Sequence, residues 1–209
     1  VNGPGCHVCK GIKTVAGIND LATTDPELAA EWDNAKNDRA PETVQRTALW
    51  KVWWKGKCGH KWRARIFDRA VHGEGCKICE TQFQEALPVL LMTYYAKKMK
   101  LQITVKNLQC IGLELATYIP EIGLAVEFRE EKSIDGQKLE NVKQYLCDKR
   151  GITLVKIPEW KSQTELTERI LQAFAAADII IRTDVEIDLV IVRQRYFTWL
   201  QRKVNKPRS

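Results

Sequence analysis

Cys58-Gly-His60 and Cys76-Lys-Ile-Cys79 set three thiols and an imidazole in two close pairs along one short stretch of chain. A Cys-x-x-Cys knuckle brings two thiolates to one ion, and an upstream Cys and His complete a tetrahedral shell; these residue types at this spacing suit structural zinc. The upstream pair is the tighter Cys-x-His, so His72 stays open as a substitute for His60. Gly3-Pro-Gly-Cys6-His-Val-Cys9 repeats the form of Gly73-Glu-Gly-Cys76-Lys-Ile-Cys79 but has no Cys/His pair before it. Residues 1–10 therefore read as the tail of a preceding repeat, and the chain as a piece of a longer protein. Cys6 and Cys9 are a partial zinc knuckle, or bind a metal together with His7 or His72.

The elements around these residues are basic and rich in tryptophan. The 209 residues carry 33 Lys+Arg against 26 Asp+Glu, a formal charge of +7, and the excess is clustered. Lys51 to Arg69 holds seven basic residues and one acid, and Arg193 to Arg208 six basic residues and none. Clustered positive charge points to a polyanion, nucleic acid first. With 44% hydrophobic residues the chain can bury one or two cores. Four of the seven cysteines fall in Cys-x-x-Cys pairs and no apolar signal segment opens the chain. Reduced, metal-bound thiols in a cytoplasm are expected rather than disulfides. No apolar run approaches the length of a membrane span, because Asp178–Val192 is broken by charges.

Asp25-Pro26-Glu27 opens a short helix, and Ala48–Trp54 and Lys61–Ile66 alternate as strands joined by the Cys58–His60 turn. Trp53, Trp54 and Trp62 could stack on bases, but aromatic residues beside a zinc knuckle more often form the small core such a domain needs. The core is the expectation, with Lys55, Lys57, Lys61, Arg63, Arg65 and Arg69 facing phosphates. The order Pro26-Glu-Leu…Glu31-Trp32-Asp…Val52-Trp53-Trp54-Lys…Gly59-His60-Lys-Trp62…Arg69…Gly75-Cys76…Cys79 resembles the treble-clef, zinc-ribbon-like repeats found beside nuclease domains in bacterial and phage proteins. The resemblance covers residues 20–80 and implies Cys58, His60, Cys76 and Cys79 as the zinc ligands.

Downstream, Glu80–Lys100 has a helical apolar face, with Pro88 inside it. Leu101–Val105, Leu108–Ile119 and Gly123–Arg129 read as consecutive antiparallel strands, Gly136–Lys149 as a helix, Gly151–Ile157 as a buried strand and Ser162–Ala177 as a helix. Cys110 and Cys147 are expected as core thiols. Arg193–Ser209 reads as a basic helix followed by a frayed tail.

Gln84-Glu85, Gly112-Leu-Glu-Leu115-Ala116-Thr-Tyr-Ile-Pro120, Leu124-Ala-Val-Glu127-Phe and Gly151-Ile-Thr-Leu-Val-Lys-Ile-Pro-Glu159-Trp160 resemble the PD-(D/E)XK nuclease class, in the branch of very-short-patch-repair nucleases. That resemblance, over residues 81–161, implies a catalytic Mg²⁺ or Mn²⁺ held by converging carboxylates. It implies Glu127 as one magnesium ligand, Glu85 as a supporting acid, and an Asp where this chain has Ala116. The lysine position of the class holds Arg129, which is a poor general base because it does not readily deprotonate. Lys132 or Lys143 stands nearby as a substitute, and Glu114, two residues before Ala116, as a partial replacement for the missing acid. Ala116 has two explanations: a degenerate nuclease that only binds, or a natural Asp replaced here, which the intact neighbours favour.

The expectation is thus an α+β protein, a small treble-clef zinc domain followed by a restriction-endonuclease-like mixed α/β core. Residues 1–19 are the remnant repeat and linker, 20–80 the zinc domain, 81–178 the nuclease-like domain and 179–209 a basic helical extension. Its function is expected to be DNA binding and metal-dependent phosphodiester hydrolysis, disabled at position 116, on double-stranded DNA in a bacterial or phage-infected cytoplasm. A preceding domain or protein partner is a further expectation. The alternative is a non-catalytic nucleic-acid-binding protein with a degenerate nuclease fold.

Overall fold

The computed structural model describes residues 13–129 and 133–204 and divides into two units. One joins Val1–Gln82 with Thr198–Ser209, and the other is Phe83–Phe197. Cys6, His7, Cys9 and Lys132 lie outside the described residues.

In the first unit Asp20 caps helix α1 (Leu21–Thr24): its carboxylate accepts from the Thr23 N–H at 3.0 Å and the Gly17 N–H at 2.6 Å. Pro26 opens α2 (Pro26–Ala29), where its missing N–H costs nothing. Strands β1 (Lys51–Lys55) and β2 (Lys61–Arg65) form an antiparallel hairpin, with Lys51 opposite Arg65, Trp53 opposite Arg63 and Lys55 opposite Lys61. Alternation turns Trp54, Trp62 and Ala64 inward onto Leu21, Trp32, Val44 and Ile66, the core of the unit. The outer edge of β1 is closed by the backbone of Glu31–Asp33, which bridges to it at Trp32 and Trp54, and by the Asn37 side chain, which accepts from the Trp53 N–H and donates to the Trp53 carbonyl, each at 2.8 Å. Helix α3 (Ile66–Ala70) follows, and then α4 (Lys77–Lys98), within which the division between units falls.

The second unit is built on a four-stranded sheet of order β3 (Thr104–Asn107), β4 (Leu115–Ile119), β5 (Leu124–Phe128) and β6 (Thr153–Ile157). The first two pairings are antiparallel and β5–β6 is parallel. A parallel pair needs a crossover, supplied by α5 (Ile134–Lys149), which is capped by the Ser133 hydroxyl. Cys147 of α5 packs with Leu115, Ala125, Ile111 and Ile152. Leu124 and Val126, alternating with Ala125, are also fully buried, so β5 is covered on both faces. Helix α6 (Gln163–Ala175) lies against β5 and β6 and buries Leu166, Ile170 and Phe174. Helix α7 (Val185–Val204) is tied to α4 through Asp188, whose carboxylate accepts from Tyr94 Oη at 2.6 Å, from Thr183 Oγ1 and, at 3.4 Å, from Lys98 Nζ.

Among the boundaries that differ from expectation, three do so for local reasons that the structure shows. Lys100 adopts a left-handed φ of 59° and the Leu101 N–H returns to the Ala96 carbonyl, so Leu101 closes the helix and the strand starts at Thr104 instead. The expected strand over 108–119 begins only at Leu115. Asn107 Oδ1 caps the Cys110 N–H, and Gly112, at φ 79°, turns the chain before it. The last helix starts at Val185 rather than Arg193, because Asp184 Oδ1 accepts from the N–H groups of Glu186 and Ile187.

Candidate metal centre and carboxylate cleft

The hairpin turn and the start of α4 bring four ligand atoms together. Those of Cys58, His60, Cys76 and Cys79 all lie within 4.8 Å of one another. His60 Nδ1 is 3.3 Å from Cys79 Sγ and 3.6 Å from Cys76 Sγ. Metal bonds of about 2.3 Å to sulfur and 2.0 Å to nitrogen imply tetrahedral edges of roughly 3.5–3.8 Å, so the set fits one zinc ion. Cys76 immediately precedes α4 and Cys79 lies in its first turn, where the helix dipole favours thiolates. Burial pushes the Cys79 thiol well up and raises Cys58, and the neighbouring thiols add to the rise at Cys79. A cation is what such a desolvated group of sulfurs needs to ionise. His72 is elsewhere, edge-on to Phe67 at 4.9 Å, so His60 is the imidazole of the set. Gly59 supplies the left-handed residue between Cys58 and His60. A Cβ on Gly56 would lie 2.8 Å from the Trp62 ring and 3.1 Å from Cys58 Sγ, so glycine is what lets ring and thiol approach the turn.

The tryptophans divide. Trp54 and Trp62 are core, whereas Trp53 is half-buried on the outer face of the hairpin. By the register, that face also carries Lys51, Lys55, Lys61, Arg63 and Arg65. Lys51 stands opposite Arg65 and Lys55 opposite Lys61, pairings of like charge that cost the sheet stability. Lys61 is partly neutralised by Asp33 at 2.9 Å, and the bond from Lys61 holds the Asp33 carboxyl below its usual range despite burial. Lys57 is exposed in the turn. Arg69 corrects the expectation of a phosphate-facing residue. Its guanidinium lies 4.6 Å from the Trp54 ring and 4.8 Å from the Trp62 ring, bonds Glu31 at 2.7 Å, and its side chain is only 8% exposed. It is a buried strut between tryptophans and cannot reach a ligand in solvent.

In the second unit, the register that pairs Thr117 with Val126 sets Ala116 opposite Glu127. The Ala116 N–H donates to Glu127 Oε1 at 3.1 Å, and Lys143 Nζ from α5 bonds the same oxygen at 3.1 Å. On the other side, β6 sets Lys156 beside Glu127, with Lys156 Nζ 3.4 Å from Glu140. Glu127, Lys143, Lys156 and Glu140 line a cleft of about 480 Å³ with Glu114, Leu113, Leu139 and Arg129; Ala116 is not among the lining residues. Arg129 ends β5 at a φ of 68° and also lies 5.8 Å from the Trp160 ring. Glu85 is exposed on α4 and is not among the residues lining the cleft. Among the described residues, the Cys/His set is the only group of three or more potential metal ligands drawn together. The cleft therefore offers Glu114, Glu127 and Glu140, but these acids are not drawn together as a set of metal ligands. Lys156 and Glu140 were not picked out from the sequence; only strand pairing and helix packing bring them to Glu127.

Among the described residues, no helix is long and apolar enough to cross a membrane. No curated protein sequence matches the chain. Residues 28–82 match a family model described as "Probable Treble clef zinc finger domain". The matched segment contains all four ligand positions and the whole hairpin, so residues 28–82 are similar to that family in both sequence and ligand set.

Proposed function

We propose that the protein binds DNA through the outer face of its zinc-anchored hairpin, and that its second unit is an endonuclease-type core left inactive by Ala116. The observation that carries the catalytic part is the pairing of Glu127 with position 116 across β4 and β5, the one acid present facing the place where a second would complete a metal site. Opposed strand residues have Cβ atoms about 5 Å apart, close enough for two carboxylates to share one Mg²⁺. Lys143 and Lys156 beside Glu127 are amines that could neutralise a phosphate or assist water, a task for which Arg129 is unsuited. The binding part is supported by the row of like-charged residues on the hairpin, since such self-repulsion is offset when phosphates lie against it. A two-stranded ribbon also fits the major groove of duplex DNA.

A second reading, a protein that binds without cutting, is favoured by the Lys143–Glu127 bond, which satisfies the carboxylate without any metal. Plasmid cleavage in Mg²⁺ and Mn²⁺ separates the two. Ala116→Asp is expected to gain nicking or cutting that a further Glu127→Ala change abolishes. A folded Ala116→Asp protein that binds DNA but never cuts it sinks the catalytic reading and leaves the binding one.

A further inference from the structure

The geometry points to a second ligand site on the zinc domain, a slot that takes an unpaired base of a DNA strand. The inference rests on the reading that the hairpin binds DNA. Beside the hairpin lies a cleft of about 380 Å³ whose walls include Trp50, Trp53, Lys36, Arg39 and Arg63. Its aromatic surface is open: Trp50 is 47% exposed and Trp53 half-buried. Each ring is attended by a cation, Lys36 Nζ 3.9 Å from the Trp53 centroid and the Arg39 guanidinium 4.4 Å from Trp50. Asp38 is the one acid in the lining, against Lys36, Arg39, Lys51 and Arg63.

The loop that carries Lys36 and Arg39 is held in place independently of any ligand. Asn37 is clamped to both backbone groups of Trp53, and Trp32 Nε1 donates to the Arg39 carbonyl at 2.9 Å. The slot is thus formed in advance while its two cationic side chains remain exposed. Partly exposed tryptophans carrying exposed cations over their faces match what single-stranded nucleic acid offers, a flat base joined to a phosphate. A base stacks on the indole more favourably than an exposed ammonium does, so the base takes the ring and the displaced cation takes the phosphate. Arg63 and Lys51 belong to both the slot and the hairpin face, so one strand can pass from one to the other. A fully paired duplex presents no free base face and leaves the slot empty.

The test is an anisotropy titration of the full, zinc-loaded chain at low salt with a blunt duplex and with the same duplex bearing a single-stranded thymine tail. The tailed DNA is expected to bind about tenfold more tightly and to quench tryptophan fluorescence. Trp50→Ala, a change at an exposed position, is expected to abolish the preference while blunt-duplex affinity stays within about twofold. Equal affinity for both DNAs, or a preference that survives Trp50→Ala in a protein with full zinc content, overturns the slot and leaves the hairpin reading standing. Failure to bind either DNA overturns the hairpin reading itself.

Discussion

In the sequence His60 is the expected ligand and His72 an open substitute for it, and the fold separates them. One imidazole turns Nδ1 to two thiols, and the other packs on Phe67. Losing one of four zinc ligands removes a metal bond outright, whereas losing a ring contact on an exposed residue does not. His60→Ala should therefore lower zinc affinity at least tenfold, and His72→Ala should leave it unchanged, as read by competition with a chelating dye. The reverse ranking would move the fourth ligand to His72. The same contrast separates Arg69 from Arg63 and Arg65. All three are arginines in one basic stretch, but Arg69 is enclosed by indoles and paired with Glu31. Residue type alone does not say which way a side chain turns.

At the scale of elements, the hairpin alternates as the sequence requires: Trp62 and Ala64 inward, Lys61, Arg63 and Arg65 outward. What the strand pattern leaves open is its partner, and the register then places cation opposite cation. Arg65→Glu should consequently stabilise the hairpin by up to about 1 kcal/mol, because it turns the Lys51 pairing attractive. It should at the same time weaken DNA binding and flatten its salt dependence, each lost phosphate contact reducing the slope of log K against log salt by about 0.9. Thermal unfolding and a salt series read the two effects separately. A loss of both stability and binding would mean that Arg65 supports the fold instead. The sheet of the second unit poses the same problem in another form. Ala116, Glu127 and Lys156 come from three strands, and Lys143 from a helix, with no spacing in the chain that announces their meeting.

Taken as a whole molecule, the two units depend on different kinds of cohesion. The first has a small core of three tryptophans and a few aliphatic residues, beside a Cys/His set that fits a structural metal. The second buries a larger sheet-and-helix core and, among the described residues, one charged group, Asp188. Burial raises the Asp188 carboxyl, but bonds from Thr183 and Tyr94, with the charge of Lys98, outweigh it and hold the group below its ordinary value. The phenol of Tyr94 is in turn pushed up to about 12, first by burial and then by this carboxylate. A carboxyl whose folded value is depressed gives stability that is complete above its unfolded value, about 3.9, and is lost as pH falls through the folded one. Asp188→Asn should accordingly cost about 1–3 kcal/mol at neutral pH, and that difference should shrink in urea titrations as the pH falls below the unfolded value of about 3.9. A constant difference across that range would show that the carboxylate's charge plays no part.

By itself the sequence determined the Cys/His spacing of a metal set, the alternation of the hairpin strands, and the order of helices and strands in the second unit. Each is a local matter: ligand spacing, residue alternation and apolar periodicity are written along a few consecutive residues. The tertiary structure alone decided which histidine completes the metal set, that Arg69 is a strut, that Glu85 stays away from the cleft while Lys156 and Glu140 enter it, and that Trp50 and Trp53 stand open among cations. These depend on register and packing between segments distant in sequence, where a shift of one residue along a strand turns a side chain from solvent into the core.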